Sequence, residues 1–366
     1  MKKKILYFMH LDWKWNKQRP HFIAEGLSDF FDIKVIYMAS KDLIFKNSSN
    51  STTNEKNLNI TPIFRMPFYE NQRIYNLNRY YMRSYLKFLI KRYDPDFLWI
   101  TFPQLYDYIP SNTRCKLIYD CMDLATAFDF NDDFKDKLTK IEEKLINDSS
   151  IIFVSSNSLF TILNEKYHCE DKLLIVRNAF GGTVIDNNLN NNTVEKKSQN
   201  YKIGFFGSIS KAFIDFKKIK ITLEEIDNIE YHLIGPVNED VKSKHDRLKF
   251  YGMVNYNELG NYVKNFDCFI LPFNLDDFRR ASDPVKLYEY INYNKPIISV
   301  YYDELEYFSN FLYFYSNTVE LLDILNDMVI NGFVRKYSPE DRFKFLENNS
   351  WDNRVLKIVK YLNNLQ

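Results

Sequence analysis

The sequence predicts an α/β protein built from two doubly wound, Rossmann-like domains. Three observations carry that prediction: short apolar runs alternate with longer amphipathic ones, the alternation occurs as two consecutive series, and a polar stretch without period separates them. A length of 366 residues suits two domains of about 150 residues each. In the first series, 4–9, 33–38, 97–101, 116–119, 151–154 and 173–176 read as strands, with helical patterns over 18–30, 74–92, 134–147 and 157–166. In the second, strands at 202–206, 231–234, 269–272 and 297–300 are separated by helices near 215–227, 257–265 and 284–294. Continuous apolar strands joined by helical crossovers imply parallel sheets covered on both faces. The domains are therefore expected at 1–182 and 201–350, joined by the Asn-rich linker 183–200, with 351–366 as a closing amphipathic helix. Two such domains are expected to face each other across a cleft, with ligands outside the carboxyl ends of the strands.

Composition narrows the function. The 49 Lys+Arg balance 48 Asp+Glu, which argues against a nucleic-acid-binding chain. Only 9 residues are Gly, about a third of the usual ~7%, so collagen-like and linker-rich architectures are excluded. The four cysteines contain no CxxC, so neither a zinc ribbon nor a disulfide framework is expected. The apolar stretch after the N-terminal lysines is too short for a signal peptide and reads as a buried first strand. No run approaches the ~20 apolar residues of a membrane span, and a cytoplasmic protein is expected.

Six segments at strand ends carry candidate chemistry. In Arg279-Arg280-Ala281-Ser282-Asp283-Pro284-Val285-Lys286-Leu287-Tyr288-Glu289-Tyr290, Asp283-Pro284 reads as a helix start, Asp as the cap and Pro at the first helical position. Lys286 and Glu289 then share one face, three residues apart. A cationic first turn opposes the helix dipole unless an anion is present; a diphosphate would supply one, and Glu289 would accept hydrogen bonds from a ribose diol. An ordinary surface Lys–Glu pair is the competing reading. Gly207, Ser208 and Ser210 follow the first strand of the second domain and offer a close backbone approach to phosphate. The chain has neither the GxGxxG fingerprint nor a Walker loop. Gly235-Pro236 and Gly252-Met253-Val254 follow later strands and would flank a nucleotide base. In the first domain, His10-Leu11-Asp12-Trp13-Lys14-Trp15-Asn16-Lys17-Gln18-Arg19 suits a polar ligand stacked on aromatic rings, and Asp120 and Asp123 place two carboxylates at a strand end, either one a candidate base. No metal-ligand spacing and no GxSxG elbow occurs.

Together these segments resemble the GT-B nucleotide-sugar glycosyltransferases of the family-4 type, closest to the bacterial cell-surface polysaccharide branch that includes teichuronic-acid transferases. The residues that carry the resemblance are Trp15 with Gln18-Arg19-Pro20, Tyr119–Asp123, Gly204–Ser208, Leu233–Pro236, the 280–290 block, Lys295-Pro296 and Ser350-Trp351. The resemblance implies a hexosyltransferase with a UDP- or GDP-type donor held by the second domain. Lys286 would meet phosphate, Glu289 ribose and the Gly207 loop pyrophosphate, with Ser208, Gly235, Met253, Val254, Asp283, Pro284 and Val285 completing the donor site. The first domain would hold a glycan or lipid-linked acceptor through Asp12, Trp13, Trp15 and Arg19. The family often carries a Glu seven residues before the ribose Glu plus one; counting back from Glu289 reaches Ala281, with Asp283 the nearest carboxylate. A basic pair expected after the first strand of the second domain is likewise replaced, with Lys211 and Arg280 as candidates. Retention of configuration is implied by the family.

Transfer needs charge neutralisation on the departing diphosphate, which Arg280, Lys286 and the helix dipole would supply, with Asp123 as the third catalytic candidate. No DxD motif stands at a strand end; Asp132-Asp133 and Asp276-Asp277 read as solvated, so no metal or other cofactor is expected. Between Arg65 and Arg92 lie seven Arg/Lys and one acid, Glu70, interleaved with aromatics. This stretch suits peripheral attachment to the anionic inner face of a membrane, and an ordinary crossover helix is the competing reading. A nucleotide-sugar 2-epimerase and a non-catalytic nucleotide-sugar-binding partner subunit are the alternative functions.

Overall fold

In the computed structural model, which describes residues 2–39, 58–68, 71–111, 113–185, 200–238, 241 and 245–365, the strands form two wholly parallel sheets. The first contains β1 (Lys4–Met9), β2 (Asp32–Ala39), β3 (Asn59–Phe64), β4 (Phe97–Ile100), β5 (Lys116–Cys121), β6 (Ser149–Val154) and β7 (Leu173–Ile175), in the order β3-β2-β1-β4-β5-β6-β7. The second contains β8 (Tyr201–Phe206), β9 (Ile229–Ile234), β10 (Leu248–Phe250), β11 (Cys268–Leu271), β12 (Ile297–Val300) and β13 (Leu312–Tyr315), in the order β10-β9-β8-β11-β12-β13. Both orders reverse direction after the first-laid strand, the signature of a doubly wound sheet. Every residue from Ile5 to Met9 is fully buried, as a strand covered on both faces must be.

The helices of the first unit are α1 (Arg19–Leu27), α2 (Gln72–Tyr93), α3 (Pro103–Tyr106), α4 (Asp132–Asp148) and α5 (Asn157–Tyr167). Those that follow are α6 (Phe216–Glu225), α7 (Tyr256–Val263), α8 (Asp277–Ala281), α9 (Val285–Asn292), α10 (Thr318–Asn331), α11 (Pro339–Asn348) and α12 (Trp351–Asn364). Contacts divide the chain into Met1–Asn178 with Ala281–Asp283 and Trp351–Gln366, and Ala179–Arg280 with Pro284–Ser350. The chain thus passes from the first unit to the second at Asn178/Ala179, and most of the stretch read as a linker, 186–199, lies outside the described residues.

Several elements escape the sequence reading. β3 contains Pro62 and buries only Ile63 well, so its apolar pattern is weak. β10 and β13 are three and four residues long. α10 buries Leu321, Leu325 and Met328, a helical spacing that a closer reading of the sequence finds. The closing helix α12 packs on α1: Trp351 stacks on Phe22 with centroids 5.1 Å apart and planes at 7°, and Gly26 leaves room for Val355. Trp351→Ala should therefore cost about 3–5 kcal/mol of first-unit stability, read as a lower urea midpoint.

Candidate functional site

Three loops of the second unit leave the carboxyl ends of β8, β9 and β10 side by side. The Gly207 N–H donates to the Ile234 carbonyl (2.8 Å), and the Gly235 N–H donates to the Gly252 carbonyl (2.8 Å). The first two turns admit only glycine. Gly207 has φ +144° and Gly235 φ +138°, a region that L side chains avoid. A Cβ on Gly235 would sit 1.9 Å from the Gly207 carbonyl oxygen, and one on Gly207 would sit 2.0 Å from Cε of Lys286. The lysine stem therefore lies directly across the bare Cα of Gly207.

Helix α9 aims that lysine. Leu287, Tyr288, Tyr290 and Ile291 form its buried side, while Lys286, Glu289 and Tyr293 recur at i, i+3 and i+7 on the other. Tyr290 stacks on Phe269 of β11 (4.2 Å, 10°), and its hydroxyl oxygen accepts the Phe206 N–H at 3.2 Å. These contacts fix the helix on the strand ends. Burial lowers the Lys286 pKa, with Glu289 opposing and Arg279 reinforcing the shift. Burial also raises Glu289 to about 7 against the pull of Lys286. Neither charged group has a hydrogen bond or ion pair among the described residues. Nearby, the buried Ser210 hydroxyl has no partner, and the half-buried Ser208 hydroxyl has none among the described residues. An unpaired cation, bare backbone and open hydroxyls form an anion cradle; Glu289, one turn deeper, is an acceptor for a neutral donor pair.

The structure redistributes several expected roles. Pro284, not Asp283, is the N-cap of α9, and no side chain caps that end. Asp283 is buried in the first unit, where it accepts the Asn178 N–H (2.7 Å) and pairs with Arg177 (3.5 Å), so its carboxylate is occupied. Arg280 is exposed, and its neighbour Arg279 is the arginine near Lys286; Arg279 is buried, stacked 4.3 Å over Phe213 and paired with Asp276. Asp276 and Asp277 are exposed, as the sequence reading expects, and the Asp276 carboxylate also anchors Arg279. Asp132 and Asp133 sit in the first turn of α4, where acids complement the helix dipole. Val254 is half-buried, while Met253 and Val285 are exposed beside these loops, and Lys211 is exposed. Tyr256 and Tyr293, which the sequence reading did not single out, lie close enough to Glu289 for its charge to raise their pKa values further.

In the first unit, Arg19 is 2% exposed and its guanidinium is consumed. It binds Asp120 through Nε (3.0 Å) and Nη2 (2.7 Å) and the Val176 carbonyl through Nη1 (2.6 Å). The pair locks α1 to the end of β5 and leaves Arg19 no donor face for an acceptor. Asp12 is also buried and accepts the Lys14 N–H (2.9 Å), Trp13 lies against His21, and Trp15 is exposed. Asp123 keeps its carboxylate without a hydrogen bond or ion pair among the described residues; burial raises it to about 6, Arg19 pulling it down and Asp120 pushing it up. His10, the first residue of the stretch that ends at Arg19, contacts the Thr101 hydroxyl at 2.9 Å, and burial holds it to about 3, hence neutral. No three His, Cys, Asp or Glu among the described residues cluster as a metal site.

Comparison with known proteins adds the family context. Sucrose-phosphate synthase from Thermosynechococcus elongatus superposes with a TM-score of 0.72 over 100% of this chain and 99% of its own, at 8% identity. Anabaena HepE in complex with UDP gives 0.67 over 100% of both chains at 14% identity. The fold is that of the GT-B glycosyltransferases. By sequence, the chain is 25% identical over 216 residues to TuaH of Bacillus subtilis (strain 168), a protein named for teichuronic acid biosynthesis as a glycosyltransferase. That match spans 55% of this chain and 54% of TuaH, about half of each. No protein-family model matches the chain.

Glu289 gives the site a pH signature. The unfolded carboxyl ionises near 4.5, whereas the folded one holds its proton to about 7. The associated stability is complete below the lower value and is lost as pH rises through the upper one. Urea midpoints of the parent should therefore fall between pH 5 and 8, and Glu289→Gln should flatten that fall.

Proposed function

We propose that this chain is a glycosyltransferase that moves a hexosyl unit from a nucleoside-diphosphate sugar, of UDP or GDP type, to a glycan or lipid-linked acceptor for a cell-surface polysaccharide. The observation that carries the reading is the Lys286 ammonium lying unpaired across Gly207. A diphosphate would compensate both the desolvation of that cation and the repulsion from Arg279. Glu289 would then accept the ribose hydroxyls, which favour its ionised form. HepE, a structural neighbour, is known in complex with UDP, and this makes UDP the first donor to test.

In the reaction the bond from the anomeric carbon to the diphosphate oxygen breaks and an acceptor hydroxyl oxygen forms the new one. Negative charge grows on the departing diphosphate, where Lys286, with Arg279 and the amino end of α9 behind it, would stabilise it. Because fixed cations serve there, we assign a metal-independent reaction. Asp123 is the carboxylate proposed to take the acceptor proton; held at about 6, it is mostly ionised at neutral pH. Retention of configuration follows from the family resemblance. The buried Ala281, which stands where the family often carries its first Glu, favours one second reading: a nucleotide-sugar-binding subunit without turnover.

UDP at 100 times its dissociation constant should stabilise the protein by about 2.7 kcal/mol, a melting shift of roughly 2–4 °C. Lys286→Ala should abolish the shift and lower kcat about 10²–10³-fold. Turnover of UDP-glucose or GDP-mannose should persist in EDTA. A shift with no turnover of any nucleotide sugar would support the second reading.

Attachment to an anionic membrane through residues 65–92 belongs to the same proposal. On α2, Leu77, Tyr80, Tyr81, Lys87, Phe88 and Lys91 recur at helical spacing and are all exposed, with Phe64, Met66 and Phe68 exposed just before the helix. Not every residue of the stretch takes part: Arg79 and Arg83 are held by Asp107, Tyr75 is buried, and Tyr69 and Glu70 lie outside the described residues. Binding to liposomes should rise with their anionic lipid content, and Lys87→Glu with Lys91→Glu should weaken it at least threefold. No helix among the described residues is long and apolar enough to cross a membrane.

A further inference from the structure

A polar cavity of about 530 Å³ opens on the second unit beside α7, within the size range of small-molecule sites. Its wall is one side of that helix and its continuation, with Glu258, Asn261, Tyr262 and Asn265 at i, i+3, i+4 and i+7. The Glu258 carboxylate, Asn261 amide and Tyr262 hydroxyl have no hydrogen-bond partner among the described residues.

The floor is built rather than incidental. His232 is 5% exposed, and both its ring nitrogens are engaged: Nε2 with Glu230 at 2.7 Å and Nδ1 with the Tyr251 hydroxyl at 2.6 Å. Burial lowers the His232 pKa, so the ring is neutral and carries one N–H. The Glu230 carboxylate oxygen accepts from Nε2–H, which leaves Nδ1 as the acceptor for the Tyr251 hydroxyl. The tyrosine proton is thus committed inward and its oxygen lone pairs remain available. Lys202 stands 3.9 Å from Glu230 and offsets its charge. The Tyr251 ring stacks on His232 and meets Tyr262 edge-on at 5.2 Å.

The lining therefore combines the aromatic rings of Tyr251, Tyr262 and Phe266 with amide, carboxylate and hydroxyl groups of open valence, and it carries no excess of positive charge. That chemistry suits neither an anion nor an apolar ligand. It matches a pyranose, whose C–H face packs on aromatic rings while its hydroxyls both donate and accept. The cavity is distinct from the anion cradle. Lys202 is the second residue of β8 and Gly207 follows its last residue, five positions and roughly 17 Å along the strand. We propose that this cavity is a second binding site, taking a saccharide unit of a glycan without any nucleotide.

The test is saturation-transfer NMR with cellobiose, maltotriose and triacetylchitotriose, recorded with saturating UDP present. At least one saccharide should bind at millimolar concentration. Asn261→Ala should weaken that binding at least tenfold while leaving the melting temperature and the UDP-induced shift unchanged, and Tyr262→Ala should weaken it at least tenfold while leaving the UDP-induced shift unchanged. Lys286→Ala should change saccharide binding less than twofold, so failure of the nucleotide reading would leave this result standing. Absence of binding by all three saccharides, their displacement by UDP, or binding indifferent to Asn261→Ala and Tyr262→Ala would overturn the proposal.

Discussion

Two missing Cβ atoms govern the second unit's strand-end region. The loops after β8 and β9 approach until the Gly207 carbonyl occupies the space a side chain on Gly235 would need. The Lys286 stem in turn fills the space a side chain on Gly207 would need. Any larger residue at either position would force the backbones apart or the lysine away. The Tyr290–Phe269 stack holds α9 at the height at which this fit works. In a chain with so few glycines, two of them meet at one point.

Electrostatics then separates sites of similar composition. Arg19 and Asp120 form a buried, bidentate pair, and a backbone carbonyl accepts from the third nitrogen of the guanidinium. Such a pair anchors structure and is closed to a ligand, because breaking it would leave an uncompensated buried charge. Lys286 and Glu289 are close enough to influence each other but are not paired, and each is pushed toward its neutral form by burial. That arrangement is unfavourable alone and is relieved by a ligand bearing an anion and hydroxyl donors. The cavity floored by His232 shows a third outcome: the charges are neutralised within the protein and open hydrogen-bonding valences remain at the surface.

Much of this was legible in the sequence. The strongly apolar strands are all where the pattern placed them, because a strand buried on both faces has no choice but continuous hydrophobicity. The Lys286–Glu289 spacing was readable because a helix turns at a fixed pitch. The short strands β10 and β13 and the Pro-bearing β3 were not, since a few edge residues carry too little periodic signal. The Arg19, Asp283 and Arg279 roles also escaped. Which of two aspartates is consumed depends on residues more than a hundred positions away, and which of two adjacent arginines is buried depends on Phe213, 66 positions before Arg279.

The sequence by itself determined the α/β class, the two series of strands, the face on which Lys286 and Glu289 lie, and the glycines at the strand ends. These follow from local rules of period, pitch and backbone freedom. Only the tertiary structure decided which polar groups are satisfied and which are left open. Val176 and Asp120 close the Arg19 site, Asn178 and Arg177 draw Asp283 into the first unit, and nothing among the described residues pairs with Lys286. Satisfaction of a charge is a property of its neighbours in space, and distant segments supply those neighbours.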